Sequence, residues 1–375
     1  MNTVKIIHTA DIHLGSARTG VKNGKTEIEN TFFRIIKLCQ TEKVDFLLIA
    51  GDLFDSPFVD AKDAEKIISM MSQIPETVIA VSAGNHDPAC PGSIYTKHRF
   101  PENVVIFQSF AEHIDFPQKG VRLWGAGFTD KFENIPLIGG FEVPSSSFIN
   151  IGVLHGDLVA EGSVSAYNPI NSIQIEKSGF DYLALGHIHK RSDIKKLGKT
   201  CFSYCGCPDG MGFDETGSHG IYIGTIGIGV CELEYMELSS RKYVCESINI
   251  SGCENSFAAA DKIVTQIKEA YREDYLRNLY RITLTGLVSA DTFLDAVQIQ
   301  TILADSLTYI KISDNTETDI SDISKIANET SLRGIFAKKM LDKIDSAESD
   351  TKELYKNALK LGLKAFNKGV KLGDN

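Results

Sequence analysis

Short apolar, β-branched runs alternate with segments of helical periodicity through the first half of the chain, which predicts an α/β architecture. Val4–His8, Val44–Ala50 and Val78–Ser82 read as strands, with helices over Glu27–Glu42 and Ala61–Gln73 between them. In the first helix Ile28, Phe32, Ile35, Ile36 and Cys39 fall on one face. Further strands are predicted at Val104–Phe107, Val121–Trp124, Ile151–Leu154 and Tyr182–Leu185, with a helical stretch around Ile173–Ser178. After Gly220 the pattern changes to successive strands, Ile221–Ile226 and Val230–Met236, with Gly-rich turns. The first domain is therefore expected to end near residues 240–250 and is assigned 1–248.

A second, smaller αβ unit follows over 249–318: a helix Ser256–Tyr271, a strand Tyr280–Thr285, a helix Asp291–Asp305 and a strand Tyr309–Ile312. Residues 319–375 read as a polar helical segment. Its last part, Thr351–Lys371, carries Lys352, Lys356, Lys360, Lys364 and Lys368 at four-residue spacing, opposite Leu354, Ala358, Leu361 and Ala365. A solvated lysine face on a terminal helix is the simpler reading of that stripe, ahead of a surface for nucleic acid or a partner.

Composition narrows the class. With 375 residues, 43% hydrophobic and 23% charged, the chain has ample material for a packed core and no need of disulfide staples. No run reaches the roughly 20 apolar residues of a membrane span, and the start lacks a signal-peptide pattern, so a cytoplasmic protein is expected. Six of the eight cysteines lie between Cys201 and Cys253 without a paired framework, which suits reduced thiols. Cys201, Cys205 and Cys207 approach a soft-metal cluster, yet no second CxxC or His pair follows at zinc-site spacing. The net charge of -10 sits almost wholly in residues 1–240, with 20 Lys and Arg against 29 Asp and Glu. Such a body repels phosphate backbones at long range, so any nucleic acid must be held by bound metal, a local basic patch or a partner.

Five polar clusters each follow one of the short apolar strands: Asp11-Ile12-His13, Gly51-Asp52-Leu53-Phe54-Asp55, Gly84-Asn85-His86-Asp87, His155-Gly156-Asp157 and Gly186-His187-Ile188-His189. Singly, each is as well explained by a turn, a cap or a structural histidine. Ligands in open α/β sheets bind at the carboxyl ends of the strands, so five such loops are expected to share one rim. Carboxylate, imidazole and amide oxygen without thiolate suit manganese, iron or zinc better than a cysteine site or a calcium cage. Seven candidate ligands are too many for one tetrahedral centre. They suit two ions about 3.5–4 Å apart that share a bridging carboxylate and a bridging hydroxide, a site suited to a phosphate diester.

Those five parts, in that order, resemble the signature of the calcineurin-like metallophosphoesterases: D-x-H, G-D-x-x-D, G-N-H-D/E, a lone H and G-H-x-H. Residues 9–16, 50–55 and 181–190 look like the DNA repair exonuclease branch, which contains the SbcD-type nuclease subunits and the bacterial YhaO-type proteins. Tyr204-Cys205-Gly206-Cys207-Pro208 and Gly212-Phe213-Asp214-Glu215-Thr216-Gly217 resemble the stretch that closes that family's nuclease domain. The resemblance implies a metallophosphoesterase β-sandwich flanked by helices, an αββα arrangement, followed by an αβ capping domain and C-terminal helices. It implies that Asp11, His13, Asp52 and His189 bind one metal, and Asp52, Asn85, His155 and His187 the other. His86 would stand beside the metals and protonate the leaving oxygen, Asp87 would orient that imidazole, and Asp55 would support the ligands from behind. The archaeal and eukaryotic nucleases carry a histidine where this chain has Asp55, which places the chain nearer the bacterial members.

The implied function is hydrolysis of DNA phosphodiester bonds by two divalent ions, manganese foremost, with iron or zinc as alternatives. The implied partners are DNA and an SMC-like, SbcC-type ATPase that docks on residues 319–375; a homodimer is left open. A nucleotide, a cyclic phosphodiester or a phosphoprotein is the rival substrate, since the metal site alone does not choose. A non-catalytic DNA-end-binding scaffold is the rival from another class, and the complete ligand set argues against it.

Overall fold

The computed structural model describes residues 2–145, 147–289, 294–318 and 320–368. By its internal packing the chain divides into two units, Met1–Lys242 and Tyr243–Asn375.

The first unit holds fourteen strands among the described residues: β1 (Thr3–Thr9), β2 (Phe46–Ile49), β3 (Val78–Ser82), β4 (Val104–Phe107), β5 (Glu112–Phe116), β6 (Val121–Gly125), β7 (Ile149–His155), β8 (Leu158–Val159), β9 (Ile170–Asn171), β10 (Tyr182–Gly186), β11 (Lys195–Leu197), β12 (Thr200–Tyr204), β13 (Gly220–Gly227) and β14 (Val230–Glu237). They form two six-stranded sheets, ordered β14-β13-β1-β2-β3-β4 and β11-β12-β10-β7-β6-β5, with β8 and β9 paired apart. The β1 to β4 ladder is parallel, and Ile7, Leu47, Ile79 and Val104 lie in register across it.

Strand alternation sorts the side chains into layers. Val4, Ile6, Phe46, Leu48 and Ala80 meet Val121, Leu123, Ile151, Tyr182 and Ala184 between the two sheets. Ile7, Leu47, Ile49, Ile79 and Val81 point the other way, onto Phe32, Ile35, Ile36 and Ile67 of helices Gly24–Glu42 and Ala61–Met71. On the far face of the second sheet Leu154, Leu183 and Leu185 pack with Phe180 and with Ile175 of helix Ser172–Ser178. The result is the αββα sandwich. Central strands covered on both faces read as near-continuous apolar runs, which is why β1, β2, β3, β7 and β10 were legible. The strands β5, β8, β9, β11 and β12 were not anticipated; β5 and β11 are polar edge strands, and β8 and β9 have two residues each.

In the second unit Tyr243–Asn249, Leu279–Thr285 and Tyr309–Asp314 form a parallel three-stranded sheet, covered by helices Ser256–Tyr271 and Ala296–Ala304. Tyr243–Asn249 pairs with Leu279–Thr285 along its whole length, so it belongs here, and the boundary drawn after residue 248 moves to 242. Cys245, Glu246 and Ser247 interrupt that strand's apolar pattern and hid it. Helices Ile320–Ile326, Leu332–Ser346 and Ser349–Lys368 share a small core of Ile323, Ile326, Ala337, Ile344, Leu359 and Leu363. Residues 291–293 and 369–371 of the expected helices lie outside the described residues.

The last helix leaves exposed the leucines that lie opposite its lysines. It buries Leu359 and Leu363, with Tyr355 packed beside them, whereas Leu354 is 65% and Leu361 57% exposed. Two apolar stripes run side by side on this helix, and periodicity alone does not say which one is covered.

Candidate metal centre

Both sheets contribute to one rim. Asp11 and His13 follow β1, Asp52 follows β2, Asn85 follows β3, His155 ends β7, and His187 and His189 follow β10. The loops share one rim as expected, and the sandwich splits them, three from one sheet and two from its partner. The β1 and β2 loops are zipped together, with Asp11 N–H donating to Gly51 O at 3.1 Å and the Ile12 and His13 N–H groups donating to Asp52 O at 2.9 and 3.0 Å. Backbone strain concentrates here. Asp11, His13, Asp52 and His187 all have positive φ, at 51°, 51°, 49° and 98°. Non-glycine residues rarely adopt that region, and such outliers cluster where the surroundings force a side chain into a set position. Glycines let the loops close: a Cβ on Gly51 would overlap the His155 ring, and one on Gly84 would overlap the Asp52 carboxylate.

The structure brings the seven expected ligands together. His13 Nε2 lies 3.2 Å from His189 Nε2 and 4.0 Å from Asp52 Oδ2. Asp11 Oδ1 stands 3.9 Å from His189 Nε2 and 4.0 Å from His155 Nδ1. On the other side His155 Nε2 is 3.3 Å from Asp52 Oδ2 and 2.9 Å from Asn85 Oδ1, and His187 Nδ1 is 3.1 Å from the same Asn85 oxygen. The Asp52 carboxylate thus lies between the two groups. Asp11, Asp52, Asn85 and His155 are buried.

Opposite each inward-facing ring atom, the other ring nitrogen has a carbonyl or carboxylate oxygen nearby. His155 Nδ1 meets Ala50 O at 2.9 Å, His13 Nδ1 faces Asp55 Oδ1 at 3.3 Å, and His187 Nε2 faces Asp157 Oδ1 at 3.4 Å. His189 Nδ1 meets Glu215 Oε1 at 2.5 Å. Glu215 had no role in the sequence reading, although the segment that carries it was singled out; its 26-residue separation from His189 hid the contact.

Electrostatics marks the same place. Burial alone would depress His155, but the Asp52 and Asp11 carboxylates raise it to about 9. Burial is likewise outweighed at His189, which the Glu215 hydrogen bond and Asp11 raise to about 9. Asp52 is held well below the usual carboxylate range, burial being overcome by His155 and His13. His187 is pushed down by burial and by the neighbouring His155. Buried carboxylates that draw protons onto the surrounding imidazoles provide a well for positive charge. Two imidazole nitrogens 3.2 Å apart and facing these carboxylates suit a shared cation. The donors are oxygen and nitrogen throughout, which fits a divalent ion of the manganese, iron or zinc type.

His86 lies at the mouth, its side chain 48% exposed and its ring edge-on to His13 at 4.8 Å. Asp87 does not orient that ring. Its carboxylate is buried and accepts from Gly84 N–H at 2.8 Å, Phe54 N–H at 3.0 Å and the Tyr95 hydroxyl at 2.5 Å. The carboxylate facing His86 Nδ1, at 3.9 Å, is Asp55. Three donors from the loop framework capture Asp87, making it a loop clamp.

The sequence model of the calcineurin-like phosphoesterase family matches residues 4–191, half of the chain and the whole span of the five motifs. The chain belongs to the calcineurin-like phosphoesterase family. Among its relatives is the uncharacterized metallophosphoesterase YhaO of Bacillus subtilis (strain 168), 27% identical over 85% of this chain and 83% of that protein. The DNA double-strand break repair protein Mre11 of Methanopyrus kandleri is 23% identical over 77% of this chain and 65% of its own length. The D component of the nuclease SbcCD from Staphylococcus epidermidis is 28% identical over 50% of this chain and 57% of that component. These relatives are of the DNA repair exonuclease branch that the motifs resemble. A calcineurin-like phosphoesterase is a metal-dependent phosphoester hydrolase, and the clustered donors here are of the kind that function requires.

Proposed function

We propose that this chain is a two-metal phosphodiesterase that cleaves DNA, with manganese as the working ion. The observation that carries the reading is the double set of donors around Asp52, with His13 and His189 on one side and His155 and Asn85 on the other. Asp11, His13, Asp52 and His189 would hold one ion, and Asp52, Asn85, His155 and His187 the second. When bound, the ions supply Lewis-acid charge and water activation. The chain's own residues do the rest. His86, half-exposed at the mouth and hooked to Asp52 through its backbone N–H at 2.9 Å, would carry the proton for the departing sugar oxygen. Asp55, near both His86 and His13, would keep the two rings in place.

DNA is favoured over a small diester by what borders the site. A cavity of about 710 Å³ opens beside His189 and is lined by the exposed Lys190, Arg191 and Lys195. Asp193, Asp214 and Glu215 share that lining, so its charge is mixed, and the exposed ends of the three cations are what would meet a phosphate backbone. For the ATPase partner, the exposed Leu354 and Leu361 on helix Ser349–Lys368 supply an apolar stripe of the kind that packs on another helix. Named relatives that are a double-strand break repair protein and a nuclease component support the same reading. No described helix is long and apolar enough to cross a membrane.

The test is Mn²⁺-dependent cleavage of linear double-stranded and single-stranded DNA by the purified chain, with bis-p-nitrophenyl phosphate alongside and Asp52→Ala as control. DNA degradation lost in the variant is the expected result. Turnover of the small diester with DNA left intact, even with the ATPase added, would replace DNA by a nucleotide or cyclic diester.

A further inference from the structure

We infer that Glu215, which lies outside all five motifs, is a positioning residue for the metal ligand His189; the inference rests on the metal-centre reading above. The geometry points to it from both ends of the imidazole. Nε2 of His189 faces the centre, 3.9 Å from Asp11 Oδ1 and 3.2 Å from His13 Nε2. Nδ1 faces away from it, 2.5 Å from Glu215 Oε1. A carboxylate only accepts, so in the neutral ring that binds an ion the proton sits on Nδ1 and the lone pair is left on Nε2.

Glu215 is itself held. Its second oxygen accepts the Met211 N–H at 2.6 Å, the Cys207 thiol lies 3.7 Å from it, and its side chain is only 15% exposed. Among the four histidines of the centre, His155 is anchored by a neutral carbonyl, Ala50 O, whereas His189 gains a full negative charge and with it a more basic Nε2. Glu215 comes from the segment between β12 and β13, so a stretch beyond the motifs sets the tautomer and angle of the last ligand.

Metal uptake tests this without any substrate. Isothermal titration of Mn²⁺ into the metal-free full chain is expected to show two ions bound by the wild type. Glu215→Ala is expected to weaken one of them about tenfold to a hundredfold and leave the other in place. His189→Ala should weaken the same ion, and the double variant should be no weaker than His189→Ala, because Glu215 acts through that ring. If Glu215→Ala does not fold, Glu215→Gln keeps the shape and is expected to weaken the same ion, since one amide oxygen cannot serve both N–H donors. Wild-type affinity for both ions in the variant would overturn the inference. So would equal weakening of both ions together with a lower melting temperature of the metal-free protein, which marks a merely structural residue. A wild-type chain that takes up no Mn²⁺ would overturn the metal-centre reading and this inference with it, whereas two-ion binding without DNA cleavage would leave this inference standing and sink only the choice of substrate.

Discussion

The backbone N–H of His86 donates to Asp52 Oδ1 across 2.9 Å, so the loop that carries the half-exposed histidine hangs on the carboxylate at the middle of the metal centre. The placements of Asp52 and of the His86 loop are therefore coupled. The two residues should nevertheless separate by what is lost. Asp52→Ala is expected to lose both metal and DNA cleavage. His86→Ala is expected to keep its metal while cleavage falls about 10²- to 10⁴-fold. Metal content by plasma emission beside single-turnover cleavage decides it; a His86→Ala protein that cleaves at the wild-type rate removes His86 from the chemistry.

Asp87 makes the opposite prediction. Burial and the nearby Asp52 charge raise its carboxyl to about 7, and three hydrogen bonds hold it all the same. Asp87→Ala would strand the Gly84 and Phe54 N–H groups and the Tyr95 hydroxyl, at a stability loss on the order of 3 kcal/mol. Urea denaturation of metal-free protein measures this directly. An unchanged midpoint with a selectively altered pH profile of cleavage would restore the orienting role first expected for it.

The pH dependence of stability has a clear contributor in His8. It is fully buried, Nδ1 accepting from the Tyr182 hydroxyl at 2.8 Å and Nε2 donating to Leu185 O at 3.2 Å, and burial pushes its pKa down to about 3 despite the carbonyl contact. Unfolded, it protonates near a pKa of about 6.5. Its contribution is therefore complete above about pH 6.5 and is lost as pH falls from there toward 3. Between about pH 7.5 and pH 5 wild type should lose about 2 kcal/mol more than His8→Gln. Denaturant midpoints of both proteins at the two pH values check the sign, and parallel losses would refute it.

The basic edge of the cavity beside His189 should appear in the salt dependence. Neutralising Lys190 and Lys195 is expected to weaken DNA binding and to reduce the slope of log affinity against log salt by about 1 to 2. Turnover of bis-p-nitrophenyl phosphate, which needs no backbone contact, should be retained. An unaltered slope would place the DNA path elsewhere on the unit.

By itself the sequence determined the strands that carry the centre and the residues at their ends. Val4–His8, Val44–Ala50 and Val78–Ser82 are covered on both faces, and an apolar run followed at once by Asp, Asn, His and Gly stays visible without tertiary information. Only the tertiary structure decided the rest. The split of the five loops between two sheets depends on which strands pair, and pairing is not encoded in any one strand's pattern. Tyr95, the two backbone donors and Asp55 decided that Asp87 clamps loops while Asp55 faces His86, where the resemblance had implied that Asp87 orients the ring. The bond from Glu215 to His189 joins residues 26 positions apart, and the buried face of the last helix depends on which of two apolar stripes meets Ile344 and Ala337. Local pattern reports how a segment partitions between water and core, whereas the partner it meets there is a property of the packed chain.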